Sequence, residues 1–471
     1  MVFSSPFFVF FFLPLALLLY FASPRIARNA VLFAVSLLFY AWGEKAGVVL
    51  IVGSIGLNYF LGRWVERGSR VAIVAGILLN LAMLVVCKYA NFAIANLNAA
   101  LAVLTLPRIS HRQIHLPIGI SFFTFEAIAY LVDIRRGQTR AQRNVVNFGL
   151  FMTFFPHLIA GPVVRYRDLA AAIESRTILT TNFAIGVQRF IIGLAKKMLL
   201  ANTLARTADT LFGLPPDQLG LDAAWLGIAC YTLQIYFDFS GYSDMAIGLA
   251  KLLGFDLCEN FRYPYAATSI TDFWRRWHIS LSSWFRDYLY IPLGGNRGGR
   301  WRTGFNLVAV FALCGLWHGA SWAFLVWGLF HGLFLVLERT RFGRFLEVLP
   351  APLRHAYVLL VVMGGWVFFK ADTLPRAVGY LGALTGLHPG PHRLMDYLNV
   401  ELLLTLAVAV FAALPVARRW SPIWQRAKEI LGAPAEWGGE LARVAVLGGL
   451  LFAATVQLAA GTYIPFIYFR F

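Results

Sequence analysis

Long apolar runs recur along the whole chain, and they constrain its fold more than any other feature. A bilayer is crossed by roughly 20 apolar residues, and the shorter runs need flanking residues, tilt or burial to span. The runs are Phe7–Phe21, Ala30–Trp42, Val71–Val86, Ile118–Val132, Phe148–Val164, Ala223–Phe237, Phe305–Leu316, Phe324–Leu337, Ala356–Phe369, Leu402–Val416 and Val444–Ala459. They predict an all-α, polytopic integral membrane protein of about ten to twelve transmembrane helices, some of them re-entrant. No long soluble domain fits between the runs, so one membrane domain is expected over residues 1–471.

The first residues, MVFSSPFFVFFFLPLALLLYF, do not have the form of a secretory signal. A basic n-region and a small-residue cleavage site are both missing, so the segment is expected to stay as the first helix. Arg25 and Arg28 follow it. Under the positive-inside rule, these arginines predict an outside N-terminus and a cytoplasmic first loop.

The net charge of +18 could suggest nucleic-acid binding, but the basic residues are spread over short loops. Cytoplasmic loops of membrane proteins collect such an excess, and it is attracted to anionic lipid head groups. The lipid bilayer is therefore the expected partner, and nucleic acid is not. The four cysteines are widely spaced, with no C-x-x-C pair, so neither a zinc site nor a disulfide framework is expected.

The segment TDFWRRWHISLSSWFRDYLYIPLGGNRGG, residues 271–299, concentrates charge and aromatic rings in this apolar chain. Projected as a helix, residues 272–289 separate into an aromatic and a charged face, with His278 at the border. One interpretation is an interfacial or re-entrant helix with tryptophan and arginine anchors. The other is an entrance for an anionic, partly planar ligand, because arginine forks suit phosphate and indole rings suit an adenine or acyl chain. The entrance residues would be Trp274, Arg275, Arg276, Trp277, Arg286 and Arg297.

A histidine interrupts a second run, FALCGLWHGASWAFLVWGLFHG, residues 311–332. His318 follows Trp317, and Trp322 comes one turn later. Ionisable residues at membrane depth are costly and usually face an interior cavity, although a lone buried histidine is more often a packing residue. His331 is thirteen residues further on and would not share a face with His318 on a continuous helix.

Two carboxylates occur in a third apolar run, YTLQIYFDFSGYSDMAIGLAKLLGF, residues 231–255. Asp238 and Asp244 need partners inside the membrane, and the arginines of residues 271–299 are available in sequence. A buried ion-pair network that holds the helices in register is the favoured interpretation, and a place beside a tunnel is the alternative.

Together, FWRRWHISLSSWFRDYLYIPLGGNRGG, LCGLWHGASWAFLVWGLFHG and YFDFSGYSDMAIGL resemble the membrane-bound O-acyltransferases, and within them the branch of the alginate O-acetylation protein I. Further similar runs are MVFSSPFF, KYANF, LPIGISFFTFEAIAYLVDIRRG, FFPHLIAGPVVRYRDL and GWVFFKAD. The similarity covers about residues 1–372 in order. Residues 373–471 resemble the family mainly as further membrane helices.

The resemblance implies a tunnel through the membrane, with His318 as the catalytic base and with Trp317 and Trp322 as candidates for the tunnel wall. It places His278 in a funnel on the cytoplasmic side, as a second catalytic histidine or a support. The implied donor is a thioester, most simply acetyl-CoA, with no bound cofactor and no metal. The implied setting is a bacterial inner membrane, with periplasmic or membrane-anchored acetyltransferase partners that modify an exopolysaccharide, alginate above all.

Three alternatives stay open at this point. A related branch transfers D-alanine towards teichoic acids and shares the W-R-R-W-H region. Cellulose or another polymer could replace alginate as the acceptor. A transporter with a proton relay through His318 and Asp238 is the alternative from a different class, but no repeat between the two halves is visible, as transporters often show.

Overall fold

A computed structural model describes residues 2–387, 389–416, 426 and 433–461, with the backbone alone for 433–435. Within these residues the regular structure is helical. The α-helices are α1 Leu13–Ala22, α2 Arg28–Gly43, α3 Gly47–Glu66, α4 Arg70–Val103, α5 Ile120–Arg135, α6 Val145–Thr153, α7 Phe155–Leu158, α8 Tyr166–Glu174, α9 Thr180–Ala195, α10 Asn202–Gly213, α11 Leu221–Leu252, α12 Ile270–Arg276, α13 Ile279–Phe285, α14 Gly299–His318, α15 Trp322–Leu337, α16 Arg341–Val348, α17 Ala351–Lys370, α18 Leu374–Leu384, α19 Val400–Ala413 and α20 Ala433–Ala459. The predicted all-α class is confirmed.

Three π-helical segments extend these helices. Phe8–Phe12 leads into α1, Lys196–Ala201 joins α9 to α10, and Arg286–Tyr290 continues α13. One buried apolar cluster includes side chains from Phe3 to Leu458. The single domain expected over residues 1–471 extends beyond the described residues and stays a prediction.

Among the residues that the structure describes, five helices are long and apolar enough to cross a membrane by length and composition, or six if the bent pair α15–α16 counts as one span. They are α2 with its preceding turn, α3, α4, α17 and the part of α20 from Glu436. Other deep helices, such as α11 and α14, carry polar side chains or are covered by neighbours. Burial inside the protein replaces contact with lipid there, so apolar length alone does not identify them.

Arginine-bearing helix ends lie on one side of the molecule. Arg143, in the segment after α5, pairs with Glu66 at the end of α3 at 2.5 Å. At the other ends of these helices, Glu44 pairs with His115 at 3.0 Å. We call the first side the basic face and the second the opposite face. The positive-inside rule predicts that the basic face is cytoplasmic.

Helices α9 and α11 approach so closely that glycine is required between them. A Cβ on Gly193 would lie 2.5 Å from the carbonyl oxygen of Gly241, and one on Gly186 would lie 2.8 Å from that of Gly248. Real Cβ atoms do not approach so closely, and small residues let helix backbones meet in membranes. The pair therefore forms a fixed wall at the centre of the fold.

The segment expected to be one amphipathic helix over residues 272–289 is two short helices, α12 and α13. His278 separates them with a left-handed backbone, φ +44°. A non-glycine residue in this region is uncommon and marks strain or function. The expectation of one continuous helix was therefore wrong at His278. The predicted two faces are present, and the aromatic face is buried in the protein core.

The run of residues 311–332 also turns. Helix α14 ends at His318, and α15 returns from Trp322 after a three-residue connection. A Cβ on Gly315 would lie 2.2 Å from the carbonyl oxygen of Phe324, and one on Gly328 would lie 2.1 Å from that of Phe311. These contacts fix α14 and α15 as a tight hairpin whose connection lies next to His318.

Candidate functional site

His278 and His318 are far apart in sequence but neighbours in the fold. Their ring centroids lie 6.4 Å apart, and both side chains are buried. The break between α12 and α13 supplies one ring, and the last residue of α14 supplies the other. The structure therefore brings together the two histidines that the resemblance implicated.

A hydrogen bond fixes the tautomer of His278. Its Nδ1 lies 3.1 Å from Oδ1 of Asn260. The same oxygen accepts from the backbone N–H of Ser280 at 3.3 Å. Because a backbone N–H can only donate, the side-chain amide of Asn260 must present its oxygen at this position. An amide oxygen cannot donate, and Nδ1 of His278 therefore carries the proton. In the neutral ring, the lone pair is then on Nε2, where a proton can be accepted.

Ser280 connects this contact to the rest of the fold. Its hydroxyl donates to Oδ1 of Asn260 at 2.9 Å and accepts the backbone N–H of Val163, also at 2.9 Å. Val163 follows α7, which carries His157, and Nδ1 of the buried His157 lies 2.9 Å from a carboxyl oxygen of the buried Glu126 of α5. The position of His278 thus depends on three separate parts of the chain.

His318 is held through its helix end. The Nζ of Lys88 donates to the carbonyl oxygen of Trp317 and, at 3.2 Å, to that of His318. The hydroxyl of Tyr89 donates to the carbonyl of Leu316 at 2.7 Å. The last carbonyls of a helix have no intrahelical partners, and a cation there is favourable. Two consecutive residues of α4 therefore cap α14 where His318 projects.

Aromatic rings surround His318. Trp317, Trp327 and Phe369 have ring centroids 5.0, 5.1 and 5.3 Å from it. Trp317 also lies 6.2 Å from the ring of His278. Trp322, the other tryptophan of the predicted tunnel, lies against α4 and is 52% exposed, where its Nε1 donates to Asn96 at 2.8 Å.

Two cavities border residues next to the histidine pair, at different depths along α11. The larger, about 490 Å³, is lined by Asn260, Asp244 and Ile247. The smaller, about 260 Å³, is lined by Tyr231, by Gly319 next to His318, and by Phe369. At 1.5 Å per residue, Tyr231 and Asp244 are roughly 20 Å apart on the axis of α11.

The two cavities also face different sides of the molecule. The larger one borders Glu259 and Arg262, which follow the end of α11 at the basic face. The smaller one borders Leu116, which precedes α5 at the opposite face. Asn260, which contacts His278, lines the larger cavity, and Gly319, which follows His318, lines the smaller one. The histidine pair is therefore positioned between residues that border the two cavities.

Sequence reasoning also gave six donor-binding candidates in residues 271–299. Trp274 and Trp277 are buried in the core, where the Nε1 of Trp274 donates to Nδ1 of His331 at 3.4 Å. Arg276 pairs with Asp272 at 2.9 Å, and Arg286 pairs with Asp287 at 2.7 Å. Arg275 and Arg297 are the candidates with exposed side chains, and neither forms an ion pair among the described residues.

Asp238 and Asp244 pair with cations other than the arginines of residues 271–299 that the sequence suggested as partners. Asp238 pairs with Lys197 at 2.6 Å, both of them buried. Asp244 pairs with Arg189 at 2.9 Å and with Lys196 at 2.7 Å. These cations belong to α9 and the π-helical segment after it, and the arginines of residues 271–299 are not the partners shown. The pairs join α9 to α11, as the ion-pair interpretation requires.

Three residues of the site were missed from sequence. Asn260 and Ser280 are ordinary polar residues whose roles appear only when their loops meet. Lys88 had a recognisable signal, because a cation inside an apolar helix is costly unless it has a specific partner. It also stands in KYANF, a run already singled out for similarity. Among the residues that the structure describes, no three His, Cys, Asp or Glu side chains group as metal ligands would.

Comparisons with known proteins identify the family of the chain. The family model described as MBOAT, membrane-bound O-acyltransferase family, matches residues 75–369 of the chain. The chain is 43% identical to the probable alginate O-acetylase of Azotobacter vinelandii and 42% identical to that of Pseudomonas putida, with 100% of both chains covered in each case. It is also 35% identical to the peptidoglycan O-acetyltransferase of Helicobacter pylori, over 82% of this chain and 80% of that protein.

Proposed function

Since the chain belongs to the membrane-bound O-acyltransferase family and is a multi-pass O-acyltransferase, we propose that it transfers acetyl groups for the O-acetylation of alginate. The full-length relatives at 43% and 42% identity carry that activity in their names. The observation that carries the proposal is the histidine pair, 6.4 Å apart between two cavities that border different faces.

The donor is acetyl-CoA, and it enters from the basic face. Arg262 lines the larger cavity, where Arg189 and Lys196 are paired with Asp244, and Arg275 and Arg297 are exposed within residues 271–299. Clustered positive charge steers an anionic donor towards such an entrance. The acetyl group then reaches the histidines with the thioester held beside Asn260.

The chemistry is transfer of an acyl group from sulfur to oxygen. His318 takes the proton from the acceptor hydroxyl, the oxygen attacks the thioester carbonyl, and the C–S bond breaks. The thiolate that leaves receives a proton, so a thiol and an ester are formed from a thioester and an alcohol. General-base catalysis of this kind contributes about 10²–10⁴-fold. His278, with its lone pair on Nε2, is the second histidine that the reaction requires.

The acceptor reaches the pair through the smaller cavity at the opposite face. Under the positive-inside orientation, that face is periplasmic. The enzyme therefore lies in the inner membrane, and the acetyl group leaves towards periplasmic or membrane-anchored acetyltransferases that complete the modification of the polymer.

A second acceptor is favoured by a specific observation. The relative from Helicobacter pylori is named for peptidoglycan, so acetylation of that polymer is the second candidate. Cellulose acetylation and D-alanylation of teichoic acid differ from the proposal in the polymer or the acyl group. A transporter differs in needing no thioester.

The experiment is acetyl transfer from labelled acetyl-CoA in membranes that contain the chain and its partner proteins. Wild type, His318→Ala and His278→Ala are compared at matched expression. His331→Ala is the control, because His331 is also fully buried and also contacts Trp327. We expect at least a hundredfold loss of transfer for His318→Ala, a marked loss for His278→Ala, and near wild-type transfer for the control.

Three results would contradict parts of this proposal. Wild-type transfer by His318→Ala would remove it as the base. Label that reaches peptidoglycan but not alginate would change the acceptor, and consumption of a D-alanyl thioester instead of acetyl-CoA would change the acyl group. Turnover without any ion gradient excludes the transporter.

A further inference from the structure

A cavity of about 650 Å³ lies at the basic face, away from the histidine pair. It is formed where α1 ends, α2 begins, and the segment between α8 and α9 crosses them. Its cationic side chains are Arg25, Arg28 and Arg176, against one acidic residue, Glu174. The proposed acyl transfer uses none of these residues.

Arg176 is fixed at the base of this cavity. Its Nε donates to the hydroxyl of Tyr20 at 2.9 Å and to the carbonyl of Leu253 at 3.1 Å. Its Nη1 donates to Oδ1 of Asn29 at 2.7 Å, while Nη2 is buried without a hydrogen-bond partner. One donor of a rigidly held guanidinium is therefore left for a ligand.

The guanidinium of Arg28 lies against the Tyr20 ring, as that of Arg176 does. Arg28 is 5.2 Å from the ring centroid of Tyr20, and Arg176 is 5.5 Å from it. The Nε of Arg28 is also buried without a partner, and neither arginine forms an ion pair among the described residues. Burial and the charge of Arg28 lower the pKa of Arg176 from its ordinary value. Two close cations that form no ion pair among the described residues suit an anion with several acceptor oxygens.

The outer wall of the cavity is apolar and continues along α1. Phe21 and Phe183 form it, with ring centroids 6.0 Å apart. On the preceding turn of α1, Leu18 is 66% and Leu19 is 45% exposed. Exposed apolar side chains on a membrane helix face acyl chains, so the cavity joins a cationic base to a lipid-facing surface at the level of the head groups.

We propose that this cavity binds the phosphodiester head group of an anionic phospholipid in the leaflet of the basic face. The head group accepts from Arg28 and Arg176, with Arg25 at the rim, and an acyl chain lies along Phe21 and Leu18. A free phosphate, or the phosphates of the acyl donor, would satisfy the arginines but would leave the apolar wall without a contact.

The test measures lipid retention by the purified full-length chain with native mass spectrometry. The probes are phosphatidylglycerol and phosphatidylethanolamine with identical acyl chains. The variants are Arg25→Gln, Arg28→Gln and the double variant. Arg67→Gln is the matched control, because Arg67 is exposed and follows α3 at the same face.

Wild type is expected to retain phosphatidylglycerol in preference to phosphatidylethanolamine. Each arginine removed should weaken that preference about fivefold, as for one cation at an anionic membrane surface. Arg67→Gln should behave as wild type. If the double variant does not fold, the wild-type preference and the single variant Arg25→Gln decide the question.

Equal retention of the two lipids by wild type would overturn the proposal. An equal loss in Arg67→Gln would also overturn it, since it would indicate general surface charge. Inorganic phosphate and coenzyme A are the remaining probes. If either is bound in an Arg28-dependent manner while phosphatidylglycerol shows no preference, the site belongs to a soluble anion.

Discussion

Two regions of the molecule place ionisable side chains in the apolar interior. The first consists of helices α9 and α11 with the π-helical segment after α9, and the second is the α14–α15 hairpin. In the first region, Asp238 and Asp244 are neutralised by lysines and an arginine of the facing segment. In the second, His318 lies among aromatic rings between two cavities. Glycines bring the backbones together in both. In the first region, opposite charges in contact neutralise one another and join the helices, whereas in the second the imidazole is enclosed by aromatic rings, which is the environment of the base that we propose.

The largest effect is expected from breaking the ion pair of the first region. Asp238→Asn leaves Lys197 buried without its counter-charge, which destabilises by about 3–5 kcal/mol. Thermal unfolding of the purified protein in detergent measures this loss. The double variant Asp238→Leu with Lys197→Met replaces the pair with apolar groups and should recover most of the stability. If the double variant is no more stable than Asp238→Asn, the pair has a role beyond charge neutralisation.

A smaller loss is expected from the cap of the second region. Lys88→Met removes the cation from the carbonyls of Trp317 and His318, which should cost about 1–2 kcal/mol of stability. Acetyl transfer should fall as well, because the end of α14 loses its support next to the base. Lys45→Met, an exposed lysine near the opposite face, is the control. Equal unfolding temperatures for the two variants would show that Lys88 does not stabilise the end of α14.

The hydrogen bond that orients His278 should matter by about one order of magnitude. Asn260→Ala removes an acceptor whose net contribution is roughly 1.4 kcal/mol, so transfer should fall about tenfold. Asn260→Asp keeps an acceptor, so it should recover part of the activity and move the pH profile of transfer to higher pH. Ser243→Ala removes the hydroxyl that accepts from the side-chain amide nitrogen of Asn260 and should leave the pH profile in place. An unchanged pH profile in Asn260→Asp would show that His278 takes no part in proton transfer.

The smallest effect concerns the rim arginines. Arg275→Gln and Arg297→Gln should raise the KM for acetyl-CoA about twofold to fivefold at low salt, with little change in kcat. Screening should abolish the difference at high ionic strength. Arg276→Gln, whose partner is Asp272, should affect stability instead of KM. A kcat effect at Arg275 would place it nearer to the reacting atoms than its exposure indicates.

Much of the architecture could be predicted from the residues. The recurrence of apolar runs predicted the all-α membrane fold, and the two faces of residues 272–289 are present. The continuous helix was wrong because His278 adopts a left-handed backbone that its sequence context does not require. The ion-pair partners of Asp238 and Asp244 could not be predicted, because sequence spacing does not tell which helix packs on which.

The sequence by itself determined the class of protein, because membrane insertion depends on apolar length and charge distribution, which are local properties. It also supplied the motifs that identify the family and the two histidines. Only the tertiary structure decided that the two rings meet, that Asn260 fixes one tautomer and Lys88 caps the other helix, and that cavities from two faces border the neighbours of the pair. These features depend on contacts between residues distant in sequence, and such contacts exist only after helix packing has fixed their distances.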